Sequence, residues 1–176
     1  MPYQSNRPPA LYHQAQAAIV LIVMALHGPA GAQAAAPAVA LPPVASGLAH
    51  PWAVAFLPGG RFLVTERPGR LRVVSAAGAV GPAVTGLPPV AAGGQGGLLD
   101  VVTDTDFARN RRIFFCFSEP AAGDAAGNST ALARATLSAD ARSLQDVKVI
   151  FSQQPKGQSA LHFGCRIVQA PDGNLF

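Results

Sequence analysis

Apolar residues fall along this chain in short bursts, each closed by a turn signal, after one longer run near the start. Three bursts share a phrase of strand, tight turn, strand. Val54-Ala55-Phe56-Leu57 runs into Pro58-Gly59-Gly60 and resumes as Arg61-Phe62-Leu63-Val64-Thr65. Leu99-Asp100-Val101-Val102 passes through Asp104-Thr105-Asp106-Phe107 and Asn110 into Ile113-Phe114-Phe115-Cys116-Phe117. Val168-Gln169-Ala170 passes through Pro171-Asp172-Gly173-Asn174 into Leu175-Phe176. Pro, Asp, Asn and Gly stand where hairpins need preset or positive φ. Between these phrases, residues 69–74, 131–137 and 146–151 alternate or run apolar and predict outer strands. No long stretch shows the 3.6-residue period of an amphipathic helix. The turn centres near residues 59, 105 and 172 lie about 46 and 67 residues apart, the scale on which strand-built propeller blades repeat. An all-β fold of propeller type is therefore expected. A sandwich is its rival, disfavoured by the irregular spacing and the Gly-rich loops that lead into strands. The chain reaches Phe176 inside a predicted strand, so residues 46–176 are read as the N-terminal part of a larger domain, roughly two blades, truncated at the C-terminus.

The longer run, Ala17 to Leu26, follows a weakly basic start at Arg7 and ends at Gly28-Pro29. Ala32-Gln33-Ala34 then supplies small residues at cleavage spacing, so residues 1–34 read as a secretory signal peptide cut after Ala34. A membrane anchor is the alternative, but a span needs about 20 apolar residues. Residues 35–45 form an Ala/Pro-rich lead-in. A periplasmic or secreted product with no stable membrane span after cleavage is the expectation.

Composition sharpens this only in places. Eighteen Gly and 16 Pro suit many short strands and turns. The formal net charge is +4, with cations spread along the chain and clustered only at Arg109, Arg111 and Arg112. That cluster reads as a solvated turn before a strand; no basic stripe interleaved with aromatics is present, so no nucleic-acid partner is expected. Export places Cys116 and Cys165 in an oxidising compartment. A bridge between them is possible, but sequence does not fix the Cα approach it requires. Cys116, within Phe114-Phe115-Cys116-Phe117, also reads as a buried small apolar residue. No metal-ligand spacing is present.

Two segments carry candidate chemistry. In Gly93-Gly94-Gln95-Gly96-Gly97 the glycines let the backbone bend tightly and bring the Gln95 amide, both donor and acceptor, close to a ligand. In Leu161-His162-Phe163-Gly164-Cys165-Arg166 a histidine sits in a glycine-containing turn that leads into a strand-like run. Imidazole titrates close to neutrality and serves as a proton acceptor. By spacing alone, His162 reads as a turn residue bonded to backbone rather than a proton acceptor, and Gln95 as a solvated loop residue. Trp52 could stack on a sugar, yet its Pro-Trp-Ala-Val-Ala setting reads as blade core. Asn128-Ser129-Thr130 reads as a polar loop.

Taken in order, Pro51-Trp52-Ala53-Val54-Ala55-Phe56-Leu57-Pro58 with Gly60 to Arg70, then Gly94 to Asp100, then Asp106-Phe107 with Asn110-Arg111, then His162-Phe163-Gly164 with Arg166, resemble the glucose/sorbosone dehydrogenase family over about residues 46–176. Its members include soluble periplasmic aldose sugar dehydrogenases that use pyrroloquinoline quinone. The resemblance implies a six-bladed β-propeller in the full-length protein and the oxidation of an aldose to a lactone. His162 matches the general base, Gln95 a residue facing sugar or cofactor, and Arg166 a support that ties the His loop to its neighbours. It also implies pyrroloquinoline quinone and calcium as cofactors, with their main binding residues beyond Phe176, and an electron acceptor of unknown kind. Two departures stand out: Cys165 replaces a usual Gly or Ser, placing a thiol beside the base, and Thr105 replaces a common Pro. The expected protein is an oxidoreductase of which this chain is an incomplete, inactive part. The alternatives are a non-catalytic extracellular propeller that binds a ligand, and a non-functional gene fragment.

Overall fold

The computed structural model describes residues 41–123 and 126–176. The signal peptide, its cleavage site and most of the lead-in lie outside the described residues. Eight strands form two antiparallel four-stranded sheets. The first is β1 (Pro51–Leu57), β2 (Arg61–Glu66), β3 (Arg70–Val74) and β4 (Val80–Ala83), in chain order. The second is β5 (Leu98–Thr103), β6 (Arg112–Pro120), β7 (Asn128–Leu137) and β8 (Leu144–Ser152), again in chain order, with the short helix α1 (Phe107–Asn110) between β5 and β6. Such meanders are how propeller blades are built.

The turns form where the sequence places its breakers. Pro58 opens a 3-10 turn whose Gly59 and Gly60 take φ of 75° and 69°, returning β1 onto β2 with Leu57 opposite Arg61. Arg111 closes α1 in the left-handed region and hands the chain to β6. Arg109 is exposed in the last turn of α1, in keeping with the solvated turn expected there.

Burial explains why β6 reads as an unbroken apolar run, since it is covered on both faces. Ile113, Phe115 and Phe117 join Ala55, Leu57, Leu63, Leu71, Leu98 and the alanines of β7 in a core between the two sheets. Phe114 and Cys116 point the other way, into a smaller cluster with Leu99 and Ile167, packed by Phe163, Cys165 and Leu175. β7 turns mostly small residues inward: Ser129, Ala131, Ala133 and Ala135, with Leu137 at its end, are buried at alternate positions. Burying Phe115 and Phe117 completely contributes about 1.5–3 kcal/mol for each ring. Polar ties join the sheets as well. The Thr65 hydroxyl donates to the Leu99 carbonyl at 2.6 Å and accepts from the Ala53 N–H at 3.0 Å.

Two expectations are corrected. Trp52 is not blade core but 45% exposed: Ala53, Ala55 and Leu57 turn inward, which puts Trp52, Val54 and Phe56 on the opposite, open face of β1. Asn128-Ser129-Thr130 is not a loop but the start of β7, paired with Pro120, Glu119 and Ser118. Ser129 is buried there, its hydroxyl donating to the Gln153 carbonyl at 2.8 Å.

Candidate functional site

The Gly93–Gly97 loop precedes β5 and is held from three sides. Two of its glycines are required by approach distance: a Cβ on Gly97 would lie 2.1 Å from the Arg67 carbonyl oxygen, and one on Gly96 2.6 Å from Ser118 Oγ. The Gly97 N–H donates to Ser118 Oγ at 2.8 Å, anchoring the loop to β6. From the first sheet, the Arg67 guanidinium donates to the Gly94 carbonyl, and more weakly to that of Gly96 at 3.5 Å. The Arg67 carbonyl accepts from Leu98 N–H at 3.1 Å. Arg67 thus fastens the loop to both sheets, a role its setting in Glu66-Arg67-Pro68-Gly69 does not reveal, because the partners lie about 30 residues on.

Glu66, one residue earlier, holds this corner in place. It is fully buried, accepting from Arg70 Nε at 2.6 Å and from Ala49 N–H at 2.6 Å, with Arg72 Nε 3.7 Å away. Burial pushes its carboxyl up. The bonds from Arg70 and Ala49 and the two guanidinium charges outweigh that and hold it below the ordinary value of 4.5.

The segment that leaves β8 crosses the face of β6 without forming a strand. It meets the glycine loop at two points. Gln95 N–H donates to the Ala160 carbonyl at 2.8 Å, and His162 N–H donates to Gln95 Oε1 at 2.7 Å. A Cβ at Gly94 would lie 2.3 Å from the Ala160 oxygen, so glycine is needed for the two backbones to meet. His162 adopts φ of 65°, a conformation that costs a non-glycine residue about 1–3 kcal/mol and requires the surroundings to enforce it. Both side chains remain exposed. Residues 67 positions apart are thereby brought into direct contact.

Behind His162 the segment is pinned to the second sheet. Cys116 and Cys165 form a disulfide, with Cα atoms 6.5 Å apart. The question left open by the sequence is answered, and Cys165 does not place a free thiol beside His162. Asp100, 2% exposed in β5, accepts from the Ile167 N–H at 2.8 Å and from the Val101 N–H at 3.0 Å. Arg166 reaches the same carboxylate with Nη1 at 3.4 Å but is otherwise exposed. The strand expected after His162 begins only at Val168, in a short hairpin where Val168 and Phe176 exchange both backbone bonds at 2.8 Å and Gln169 stands opposite Leu175. Asp100, like Arg67, is a supporting residue hidden in the sequence, where it reads as a polar interruption of an apolar strand.

The arrangement fastens the Gln95 amide to the His162 backbone and leaves both side chains exposed. A family model for glucose / sorbosone dehydrogenase matches residues 48–176. The chain belongs to the glucose/sorbosone dehydrogenase family. Among curated members, the aldose sugar dehydrogenase YliI of Escherichia coli K12 is 44% identical over 130 residues, which is 73% of this chain and 34% of that protein. Among solved structures, the apo form of the soluble aldose sugar dehydrogenase of E. coli superposes with a TM-score of 0.66 at 43% identity, covering 71% of this chain and 36% of the other. The PQQ-bound form of an aldose sugar dehydrogenase from Streptomyces coelicolor gives 0.64 at 29% identity, covering 77% and 39%. The chain therefore spans about a third of the length of the curated relatives it matches. Among the described residues no helix is long and apolar enough to cross a membrane.

How far these residues fit the family's cofactors differs between the two groups. A quinone carrying carboxylates needs cations beside its reacting edge. Here His50 and Arg67 line a cavity of about 250 Å³ with Gly93 and Gly94, but the Arg67 guanidinium is already committed to the loop carbonyls. The anionic groups of such a quinone find no uncommitted cluster of cations among the described residues. Calcium finds less: the described residues gather no group of three or more His, Cys, Asp or Glu side chains.

Proposed function

We propose that this chain is part of a periplasmic or secreted PQQ-dependent aldose dehydrogenase, a six-bladed propeller at full length, that oxidises sugars to lactones. The observation that carries the reading is the 2.7 Å contact between His162 and Gln95, which joins the two segments that carry candidate chemistry. Family membership supports the reaction class, and the PQQ-bound relative supports the quinone.

The bound quinone would supply the two-electron acceptor for the hydride on C1 of the sugar. His162 takes the proton of the anomeric hydroxyl on its imidazole, which pushes electron density toward cleavage of the C1–H bond. Gln95 orients the sugar. Its Oε1 already accepts from the His162 N–H, and its Nε2 amide supplies the donor to a sugar hydroxyl. Arg166 and Asp100 keep the segment after His162 seated on β5. The quinone's anionic groups and any calcium fall to residues beyond Phe176, so the 176-residue chain by itself is expected to be inactive.

The test uses the full-length enzyme, reconstituted with quinone and calcium and assayed by dye reduction with aldoses. His162→Ala should lower kcat by roughly 10²–10⁴-fold, the range for a positioned proton acceptor. Quinone affinity, followed by absorbance titration, should change far less. A His162→Ala enzyme turning over at the wild-type rate would refute the assignment.

A further inference from the structure

The His162 segment is held from in front and from behind by bonds of different kinds. In front are two hydrogen bonds at exposed positions, Gln95 to Ala160 and His162 to Gln95. Behind, three residues past His162, stands the covalent link from Cys165 to Cys116, which closes a separation of 49 residues. Further on, Ile167 is buried and bonded to Asp100. Residues 161–168 lie in no strand, and the link to β6 is the disulfide that ties the segment bearing His162, with its φ of 65°, to the second sheet. Hydrogen bonds in contact with water contribute little net free energy, because water replaces them when they open.

We propose that the Cys116–Cys165 disulfide is a redox-dependent clamp on His162: closed, it holds the segment against β6; opened by a dithiol, it frees residues 159–165 and the Gln95–His162 contact, leaving both sheets folded. The two sulfurs differ in access. Cys116 is fully buried in β6, whereas Cys165 is half-buried. A dithiol thiolate attacks Cys165 Sγ, the Sγ–Sγ bond breaks, and Cys116 leaves as a thiolate that takes a proton. The second thiol of the reductant then attacks the mixed disulfide and releases Cys165 as a thiol. In sum, the disulfide gains two electrons and two protons, and the dithiol becomes its own disulfide. β6 survives this because its nine residues, Arg112 to Pro120, remain paired along β7.

The meaning of the clamp for catalysis rests on the dehydrogenase reading; its existence does not, and the experiment separates the two. Amide exchange is followed by NMR on the oxidised chain, on the same chain treated with dithiothreitol, and on Cys165→Ser. Opening the disulfide should speed exchange of the His162 and Gln95 N–H groups at least tenfold and shift the His162 amide resonance. The Ile167 N–H and the β6 amides should keep their protection, and dithiothreitol should have no further effect on Cys165→Ser. Unchanged exchange at His162 would overturn the clamp. So would collapse of β6 and β7 protection on reduction, which would make the disulfide a staple of the fold. In the full-length enzyme, reduction should lower kcat. Failure of sugar oxidation in an enzyme whose exchange still responds would count against the dehydrogenase reading alone.

Discussion

In the proposed site Gln95 does two things with one amide: its carbonyl holds the His162 backbone, and its Nε2 donates to a sugar hydroxyl. The two tasks are separable by substitution. Gln95→Glu keeps the acceptor and removes the donor, so amide protection at His162 should persist while KM for the aldose rises about fivefold, the worth of one hydrogen bond of about 1 kcal/mol. Gln95→Ala removes both, and should lower kcat as well as raise KM. An unchanged KM in Gln95→Glu would show that the donor does not touch substrate, and equal kinetics for the two variants would show that the bond to His162 does not support turnover. Gln95 was visible in the sequence because glycines flank it, and His162 because it stands near Gly164 in a segment that resembles the family's. Arg67 and Asp100 were not. Each looks ordinary among its neighbours, and its task depends on a backbone that arrives from far along the chain.

Between single residues and the molecule lie the strands, and most were legible because burial on one or both faces imposes a pattern. β6 shows as a solid apolar run and β7 as alternation, with alanines inward. β4 was missed because Val80-Gly81-Pro82-Ala83 carries two strand breakers and little side chain to bury. Trp52 was misjudged because period-two alternation does not say which face of β1 is inward, and small alanines took that face. The segment after His162 looked like a strand; tertiary ties hold it as far as Ile167, and ladder pairing begins only at Val168, opposite Phe176. Asp100 is the sharpest test of those ties. Asp100→Ala leaves the buried Ile167 N–H without an acceptor, which should cost about 1–3 kcal/mol in urea unfolding. Asp100→Asn retains an acceptor and should recover most of that. If both variants unfold like the parent, the segment is held by Phe163, Ile167 and the disulfide alone.

At the scale of the whole molecule, two apolar cores give most of the stability, but carboxylates tie the peripheral chain to them. Burial raises the carboxyl of Glu66, yet Arg70, Ala49 and Arg72 bring it below its ordinary value. Burial likewise raises Glu119 in β6, and Lys156 and Ser152, from the end of β8 and just beyond, bring it down. Asp104 follows the same balance: burial against bonds from the Asp106 backbone, Asn110 and Gln169 and the charge of Arg112. A carboxylate whose folded pKa is depressed stabilises the fold fully above its unfolded value, 4.5 for Glu and 3.8 for Asp, and loses that stabilisation as pH falls through the folded value. The urea midpoint should therefore hold steady from pH 7 to about 5 and fall progressively below about 4.5. Glu66→Gln should start lower at pH 7, because it weakens the bonds of Arg70 and Ala49 N–H, and should decline less steeply in acid than the parent. Parallel acid profiles for Glu66→Gln and the parent would mean that Glu66 titrates alike folded and unfolded. The polar corner beneath Arg67 and the glycine loop would then owe its order to packing rather than charge.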